Sequence, residues 1–279
     1  MTNGNATLAT LEDGAQVLTT PCGDGELVWR RWGGGPRTVV LLHGGSGSWR
    51  HWVKTIPALT ERAEVIAVDL PGLGDSAMPP EPAGPATSAP AVAAGLRALV
   101  ADGRRPHLVA FSYGAHVGTL AAAHLNDVLA DFTIVGCSSL GLPWRELEEF
   151  PREHARMTEA ERRAVHRRVL EILMFADPAA IDELAVTIQV VNIAKTRLRS
   201  RPFARSDDIA RGLAAVTVPL KSIWGTRDVI ASPSLADVRA VLGRHHPELD
   251  FRTVPGAGHW VMYEAGDAFN AELLAALGL

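Results

Sequence analysis

Three side chains, far apart along the chain, are of the types that together cleave acyl bonds. The first is Ser112, at the point where the apolar run 107–111 passes directly into a predicted helix. A sharp strand-to-helix turn lifts a serine hydroxyl clear, and residues two positions away must be small because strand and helix approach closely. Ala110 and Gly114 meet that requirement. Ser112 is therefore a candidate nucleophile, although without partners it would be an ordinary helix-capping serine.

The partners that a nucleophilic serine needs are a histidine base and a carboxylate that orients it. Asp228 and His259 each follow a predicted strand, on loops at the sheet edge where ligands gather in open α/β folds. Alone, they would be a turn carboxylate and a loop histidine. In the order Ser, Asp, His at the ends of three strands, they predict a catalytic triad with Ser112 as nucleophile, His259 as base and then acid, and Asp228 as orienter.

The oxyanion that forms during acyl transfer needs backbone N–H donors. Tyr113 would supply one from the first turn of the helix, and Gly45 the other from the glycine-rich loop 43–49. Ser46 is a weaker candidate donor and a candidate for the substrate pocket. The same glycines do not cradle phosphate, because neither Gly-Lys-Ser/Thr nor G-x-G-x-x-G is present.

These residues require a sheet that brings strand ends together. Short apolar, β-branched runs alternate with amphipathic stretches, which is the pattern of an α/β fold with a mostly parallel, doubly wound sheet. The predicted strands are 38–42, 64–68, 107–111, 132–135, 220–224 and 251–254, with a hairpin over 26–32 at the sheet edge. The predicted helices are 91–101, 114–124, 235–242 and 264–277. The Pro/Ala/Gly-rich stretch 78–90 is expected to be a surface loop.

Residues 143–211 differ from the rest, since they are helical in period, lack strand patterns and hold 13 of the 27 basic residues. Thr158 to Glu161 has the capping-box pattern that begins a helix. We expect a helical cap (lid) at 143–211, inserted into an α/β core of 1–142 and 212–279. The alternative is a solvated helical excursion with no role in the site.

Composition narrows the class of protein. The chain has 279 residues, 47% of them hydrophobic, with 27 basic against 31 acidic residues. The mild acidic balance argues against nucleic-acid binding, and the absence of a long apolar run or a secretory leader pattern argues against a membrane. Cys22 and Cys137 have no metal-ligand spacing, so zinc and iron–sulfur sites have no support. Acyl transfer on a serine, histidine and aspartate needs no metal and no cofactor, and none is expected. A cytoplasmic enzyme with a small-molecule acyl substrate fits best, and a homodimer stays open.

Together these motifs resemble the α/β-hydrolase superfamily over almost the whole chain. The matching segments are His43-Gly44-Gly45, Asp69-Leu70-Pro71-Gly72-Leu73-Gly74-Asp75-Ser76, the turn at Ser112, Gly225-Thr226-Arg227-Asp228 and Gly258-His259. The resemblance implies the α/β-hydrolase fold and a cofactor-free serine hydrolase mechanism. The chain departs from the commonest pattern at Ala110, where glycine is usual. Its serine also differs from the aspartate nucleophile of haloalkane dehalogenases and epoxide hydrolases.

The C-terminal part is similar to serine hydrolases that cleave C–C bonds in meta-cleavage products, in which a tryptophan follows the catalytic histidine as Trp260 does here. Those enzymes usually have Ser-Gly-Pro where this chain has Gly45-Ser46-Gly47. Residues 69–76 instead match a motif that is widespread among esterases, lactonases and perhydrolases. We therefore expect hydrolysis of a small carboxylic ester or lactone through an acyl-enzyme. C–C hydrolysis is the alternative, and a hydrolase-fold binding protein with little turnover is the second; perhydrolase or acyltransferase chemistry stays open.

The substrate pocket is expected to lie beneath the cap. Its predicted walls, beside Ser46, are Trp144, Phe150, Met174, Phe175 and Trp260. An arginine among Arg197, Arg199 and Arg201 could bind a substrate carboxylate, which would favour the C–C branch, but an arginine run is also typical of a solvated face.

Overall fold

Eight strands form one sheet in the computed structural model, which describes residues 3–100 and 102–279. In chain order the strands are β1 (Gln16–Cys22), β2 (Gly25–Trp32), β3 (Thr38–Leu42), β4 (Glu64–Val68), β5 (His107–Phe111), β6 (Asp131–Val135), β7 (Leu220–Gly225) and β8 (Asp250–Val254). Their spatial order is β1-β2-β4-β3-β5-β6-β7-β8. The six strands predicted for the parallel part of the sheet are confirmed.

Pairing is antiparallel only at one edge of this sheet. β1 pairs with β2 and β2 with β4 in antiparallel register, whereas every neighbour from β4 to β8 is parallel. An antiparallel hairpin lies at the sheet edge as expected, but residues 26–32 belong to its second strand, β2, and its first strand, β1, begins at Gln16 and was not predicted. All carboxyl ends of β3 to β8 therefore meet at one edge, where the polar loops follow.

Helices cover both faces of the sheet. They are α1 (Asn3–Asp13), α2 (Ile56–Thr60), α3 (Pro85–Leu99), α4 (Tyr113–Ala123), α5 (Glu159–Leu173), α6 (Glu183–Ala194), α7 (Asp208–Gly212), α8 (Leu235–Gly243), α9 (Val261–Glu264) and α10 (Gly266–Leu277). Alternate residues of β3 point to opposite faces: Val40 and Leu42 pack with α3, α4 and α8, while Val39 and Leu41 pack with α2, α9 and α10. The prediction of an α/β fold with helices on both faces is thus confirmed.

The prediction of a loop over 78–90 was wrong in its second half, because α3 begins at Pro85. Proline suits the first helical position, where its missing N–H would have no partner and its φ is already helical. Pro90 lies inside the same helix, five residues after its start, and the sequence analysis had placed both prolines in the loop because of the Pro/Ala/Gly-rich composition of the stretch. The helix ends at Leu99, and the predicted end at residue 101 lies outside the described residues.

Residues 143–211 lie between β6 and β7, and we call this segment the insertion. All of its residues are described, and none forms a strand. It contains α5, α6 and most of α7, and its part 144–157 has no regular helix or strand. Thr158 begins α5 with the predicted capping box, in which Glu161 accepts from the Thr158 N–H (2.7 Å). The predicted boundary at 211 falls inside α7, which packs against α4 of the core.

No helix among the described residues combines the length and the apolar character that crossing a membrane requires.

Candidate active site

Ser112 lies at the turn between β5 and α4, with a backbone that most residues avoid. Its φ is 54° and ψ is −117°, a strained conformation that persists only where its surroundings enforce it. Its N–H donates to the carbonyl O of Gly136 (2.7 Å). A Cβ on Gly114 would lie 2.4 Å from the carbonyl O of His43, so only glycine fits there. Strand and helix are thus held close, and the serine side chain projects from the corner.

The serine hydroxyl meets a histidine and a carboxylate at this edge. The Oγ of Ser112 lies 2.9 Å from Nε2 of His259, and Nδ1 of His259 lies 2.9 Å from Oδ2 of Asp228. With the imidazole proton on Nδ1, the ring donates to the carboxylate and accepts from the serine hydroxyl. The structure therefore brings together, in one chain of hydrogen bonds, the three residues that the sequence singled out.

The carboxylate is itself held by its own loop. Its second oxygen, Oδ1 of Asp228, accepts the N–H of Ile230 (2.8 Å). The His259 ring packs against Phe111 with the ring planes tilted by 40° and the centroids 4.9 Å apart, and only 3% of the His259 side chain is exposed. Because both groups are buried and hydrogen-bonded, their orientation is fixed before any ligand binds.

Gly136 is a site residue that the sequence analysis missed. It follows β6 with a φ of +44°, and a Cβ there would lie 2.9 Å from Oδ2 of Asp228 and 3.2 Å from Nδ1 of His259. A side chain would therefore push between the carboxylate and the imidazole. The available signal was a glycine directly after the predicted strand 132–135, since a positive φ at a strand end favours glycine.

Two backbone N–H groups of residues that line the cavity beside Ser112 have no hydrogen-bond acceptor among the described residues. They belong to Tyr113, at the start of α4, and to Gly45, in the loop after β3. A Cβ on Gly45 would lie 3.5 Å from Cβ of Tyr113 and 2.1 Å from Oγ of Ser200, in the insertion. The two predicted donors are thus neighbours, and the insertion closes over one of them.

Buried histidines fix the glycine loop. The N–H of Leu70 donates to Nε2 of His43 (2.9 Å), so Nδ1 carries the proton and donates to the carbonyl O of Gly44 (2.7 Å). The N–H of Gly44 in turn faces Nδ1 of His51 (3.3 Å). Burial lowers the pKa of His43, and burial together with the neighbouring His43 and His259 holds the pKa of His51 well below its usual value. Both rings are therefore neutral acceptors at neutral pH.

The cavity beside Ser112 has a volume of about 950 Å³ and extends under the insertion. Four of the predicted pocket residues line it, namely Ser46, Trp144, Phe150 and Met174. Further apolar walls come from Val169 and Leu173 of α5, from Leu147 and from Phe203. Apolar side chains thus line most of the cavity beside Ser112.

The predicted pocket role of Phe175 and Trp260 is corrected by the packing. Neither lines the cavity; Trp260 is fully buried and its indole N–H donates to the carbonyl O of His51 (2.9 Å). Phe175 packs edge-on against Trp260 and Tyr263, at centroid distances of 5.9 and 5.8 Å. These aromatic rings pack behind the segment that contains His51, and residue type alone could not distinguish that role from a pocket wall.

The three arginines have different surroundings. Arg197 does not line the cavity, and its guanidinium donates to the carbonyl O of Ser76. Arg199 and Arg201 line the cavity, and all three arginines are exposed. The guanidinium of Arg201 lies over the Phe150 ring, 5.1 Å from its centroid. His116, one helical turn after Ser112, also lines the cavity, and the sequence analysis passed over it although the i, i+4 spacing could have shown that it shares a face with the serine.

A comparison with protein-family models agrees with this architecture, in which a strained serine and polar loops lie at one edge of the sheet. A family model described as "Alpha/beta hydrolase family" matches residues 39–272. The chain belongs to this family. This α/β hydrolase is thus an enzyme of the class that the sequence motifs indicated, and the predicted superfamily is confirmed.

Relatives of this α/β hydrolase differ in named activity. It is 28% identical over 270 residues to the dihydrolipoyllysine-residue acetyltransferase component of the acetoin cleaving system of Pseudomonas putida, covering 90% of this chain and 66% of that longer protein. It is 25% identical over 269 residues to a 2-hydroxy-6-oxononadienedioate/2-hydroxy-6-oxononatrienedioate hydrolase of Paraburkholderia phymatum, covering 88% of each chain. That second relative confirms the resemblance to meta-cleavage-product hydrolases.

A solved structure shares the α/β-hydrolase fold. The thermophilic esterase of Thermogutta terrifontis superposes with a TM-score of 0.67 at 21% identity, over 94% of this chain and 98% of the other. At 21% identity, this structural similarity supports the fold assignment alone.

Proposed function

We propose that this α/β hydrolase cleaves a small carboxylic ester or lactone through an acyl-enzyme on Ser112. The observation that carries the proposal is the unbroken series of hydrogen bonds from Asp228 through His259 to Ser112, with 2.9 Å at each step. A serine hydroxyl becomes a useful nucleophile only when a base takes its proton, and this geometry supplies that base.

In the proposed mechanism, Ser112 Oγ attacks the carbonyl carbon while His259 Nε2 takes the hydroxyl proton. The tetrahedral oxyanion accepts the N–H groups of Gly45 and Tyr113, which lack protein acceptors among the described residues. His259 then protonates the leaving oxygen, and the acyl-enzyme forms. Water then attacks the acyl carbon while His259 takes its proton. The bond from the acyl carbon to Ser112 Oγ breaks as His259 returns that proton to Oγ, which releases the acid and regenerates the serine. Every step uses side chains and backbone groups of the chain itself.

The insertion is proposed to act as the cap over this site. Residues from α5 and from 144–157 supply the apolar wall of the 950 Å³ cavity, and Ser200 lies against Gly45. A cavity of this size and polarity suits an organic acyl group of moderate size. The solvated-excursion alternative does not account for these contacts with the candidate oxyanion loop.

The test of the nucleophile is labelling by a fluorophosphonate probe. Wild type is expected to label at Ser112, and Ser112→Ala to lose both labelling and p-nitrophenyl ester hydrolysis while keeping its fold. Ser139→Ala is the matched control, because Ser139 also lines the cavity, also has a positive φ (62°) and also lies near a histidine, 3.3 Å from Nδ1 of His116. Turnover by well-folded Ser112→Ala, or absence of labelling in wild type, would refute the proposal; the second result would favour a binding protein.

C–C bond hydrolysis is the second candidate, favoured by the relative named a 2-hydroxy-6-oxononadienedioate hydrolase and by Trp260 after the histidine. Arg199 and Arg201 at the exposed side of the cavity are available to an acidic substrate. A panel of p-nitrophenyl esters of increasing acyl length, lactones and a vinylogous 1,5-diketone acid distinguishes the two. A kcat/KM highest for the diketone acid would replace the ester assignment.

A further inference from the structure

One carboxylate outside the triad collects three backbone N–H groups from two separate parts of the chain. Glu264, the last residue of α9, accepts the N–H of Gly258 on Oε2 (2.6 Å). The same side chain accepts the N–H groups of Ala176 (3.0 Å) and Asp177 (2.8 Å) on Oε1. No cationic side chain of the described chain lies within ion-pair distance of Glu264, so these backbone donors are what balances its charge.

The two ends of this arrangement matter because of their positions. Gly258 directly precedes His259, whereas Ala176 and Asp177 belong to the insertion, just after α5. On the other side of the histidine, the N–H of Trp260 donates to the carbonyl O of Met174 (2.8 Å). The backbone is therefore held by hydrogen bonds immediately before and immediately after His259, and both connections lead to residues 174–177 of the insertion.

Steric packing reinforces the same junction. A Cβ on Gly258 would lie 2.6 Å from the backbone N of Ala176 and 3.0 Å from the carbonyl O of Met174. The segment 258–260, which we call the histidine loop because it carries His259, thus lies backbone against backbone with the residues that follow α5. Only glycine at position 258 permits that approach. Neither partner can relax by rotating a flexible side chain, because the contacted atoms are main chain.

We propose that Glu264 is a positioning residue for His259. By binding the N–H groups of Gly258, Ala176 and Asp177, it holds the loop of His259 against the insertion and so fixes the position of the imidazole. This inference rests on the proposed function, since it assigns Glu264 a role in the proton transfer by His259. A neutral amide at this position keeps the shape but has one carbonyl oxygen for three donors, and its NH₂ group would face backbone N–H groups. The loop would then shift by a fraction of an ångström, which the transfer of a proton over 2.9 Å does not tolerate.

The experiment compares Glu264→Gln with Glu161→Gln in the full chain. Glu161 is the matched control because it also accepts a backbone N–H, that of Thr158 (2.7 Å), but at the far end of α5. We expect kcat for a p-nitrophenyl ester, and the rate of fluorophosphonate labelling, to fall about 10- to 100-fold in Glu264→Gln. KM should change less than about threefold, because no cavity residue is altered. Glu161→Gln should lose thermal stability with little change in kcat.

Several outcomes decide the matter. Equal kcat in the two variants, or a fall in Glu264→Gln that is carried by KM alone, would overturn the role in positioning. If Glu264→Gln does not fold, Gly258→Ala replaces it, since its Cβ separates the same two backbones; a wild-type kcat there would equally overturn the proposal. A wild type that neither labels nor hydrolyses any ester removes the proposed function and this inference together, whereas an active wild type with an active Glu264→Gln removes this inference alone.

Discussion

Replacing Gly45 by alanine tests whether the loop after β3 supplies an oxyanion donor. The new Cβ would lie 2.1 Å from Oγ and 3.0 Å from Cβ of Ser200, where ordinary contacts begin at 3.4 Å. Gly45 is not among the glycines with positive φ, so alanine meets no backbone penalty. The overlap with Ser200 is therefore the whole effect, and it must be relieved by moving residue 45 or residue 200.

The size of the effect follows from what residue 45 donates. If the loop moves, one of two N–H donors leaves the oxyanion position, which typically costs about 3 kcal/mol in the activation barrier, or roughly 100-fold in kcat. The unfolding free energy should change by less than about 1 kcal/mol, because the contact borders a cavity and not the packed core. KM should stay close to that of wild type, since the ground-state carbonyl gains little from the donor.

The assay is steady-state hydrolysis of a p-nitrophenyl ester by four proteins: wild type, Gly45→Ala, Ser200→Gly and the double variant. Glycine at 200 removes both atoms that the new methyl meets, so the double variant should recover to within about tenfold of Ser200→Gly alone. A wild-type kcat in Gly45→Ala would mean that Ser200 yields freely. A double variant as slow as Gly45→Ala would refute the steric reasoning.

Three further predictions concern the hydrogen-bond series and the buried histidines. Gly136→Ala should lower kcat about 100-fold, because its Cβ would lie 2.9 Å from Oδ2 of Asp228, and a residual Asp228–His259 contact in its crystal structure would contradict this. Asp228→Asn should cost at least about 100-fold in kcat with unchanged fold by circular dichroism. Since the folded-state pKa values of His43 and His51 are lowered, stability is full above pH ~6.5 and falls below it, by up to about 1.4 kcal/mol per pH unit for each histidine. Urea unfolding between pH 7.5 and 5 measures this slope, which His51→Gln should reduce; an unchanged slope would contradict the assignment.

The sequence predicted the parallel sheet and the residues at its edge because those signals are local. An apolar run such as 107–111, followed by a serine and a glycine, can be recognised from about ten consecutive residues without knowledge of the rest of the chain. The edge hairpin was underestimated because β1 is half exposed and has a mixed pattern without a continuous apolar run. The start of the helix at Pro85 was missed because the stretch 78–90 was interpreted from its Pro/Ala/Gly-rich composition, although the first position of a helix accepts proline.

Packing partners could not be predicted in the same way. Gly136 matters only because β6 lies between β5 and β7, which places it beside Asp228 and His259. Trp260 was assigned to the pocket on residue type, whereas its direction depends on the contact with His51. The role of Glu264 depends on Ala176, 88 positions earlier, and no spacing in the sequence encodes that meeting.

The irregular stretch 144–157 has a consequence for how new specificities could arise. It contributes Trp144, Leu147 and Phe150 to the wall, yet it is held by side chains, such as the Arg168–Glu148 ion pair and the stacking of Arg201 on Phe150. The histidine loop is tied instead to main-chain atoms after α5. Insertion, deletion or exchange within 144–157 is therefore expected to change the outer wall of the cavity, whether in evolution or by design. The hydrogen bonds among Asp228, His259 and Ser112 should stay unchanged.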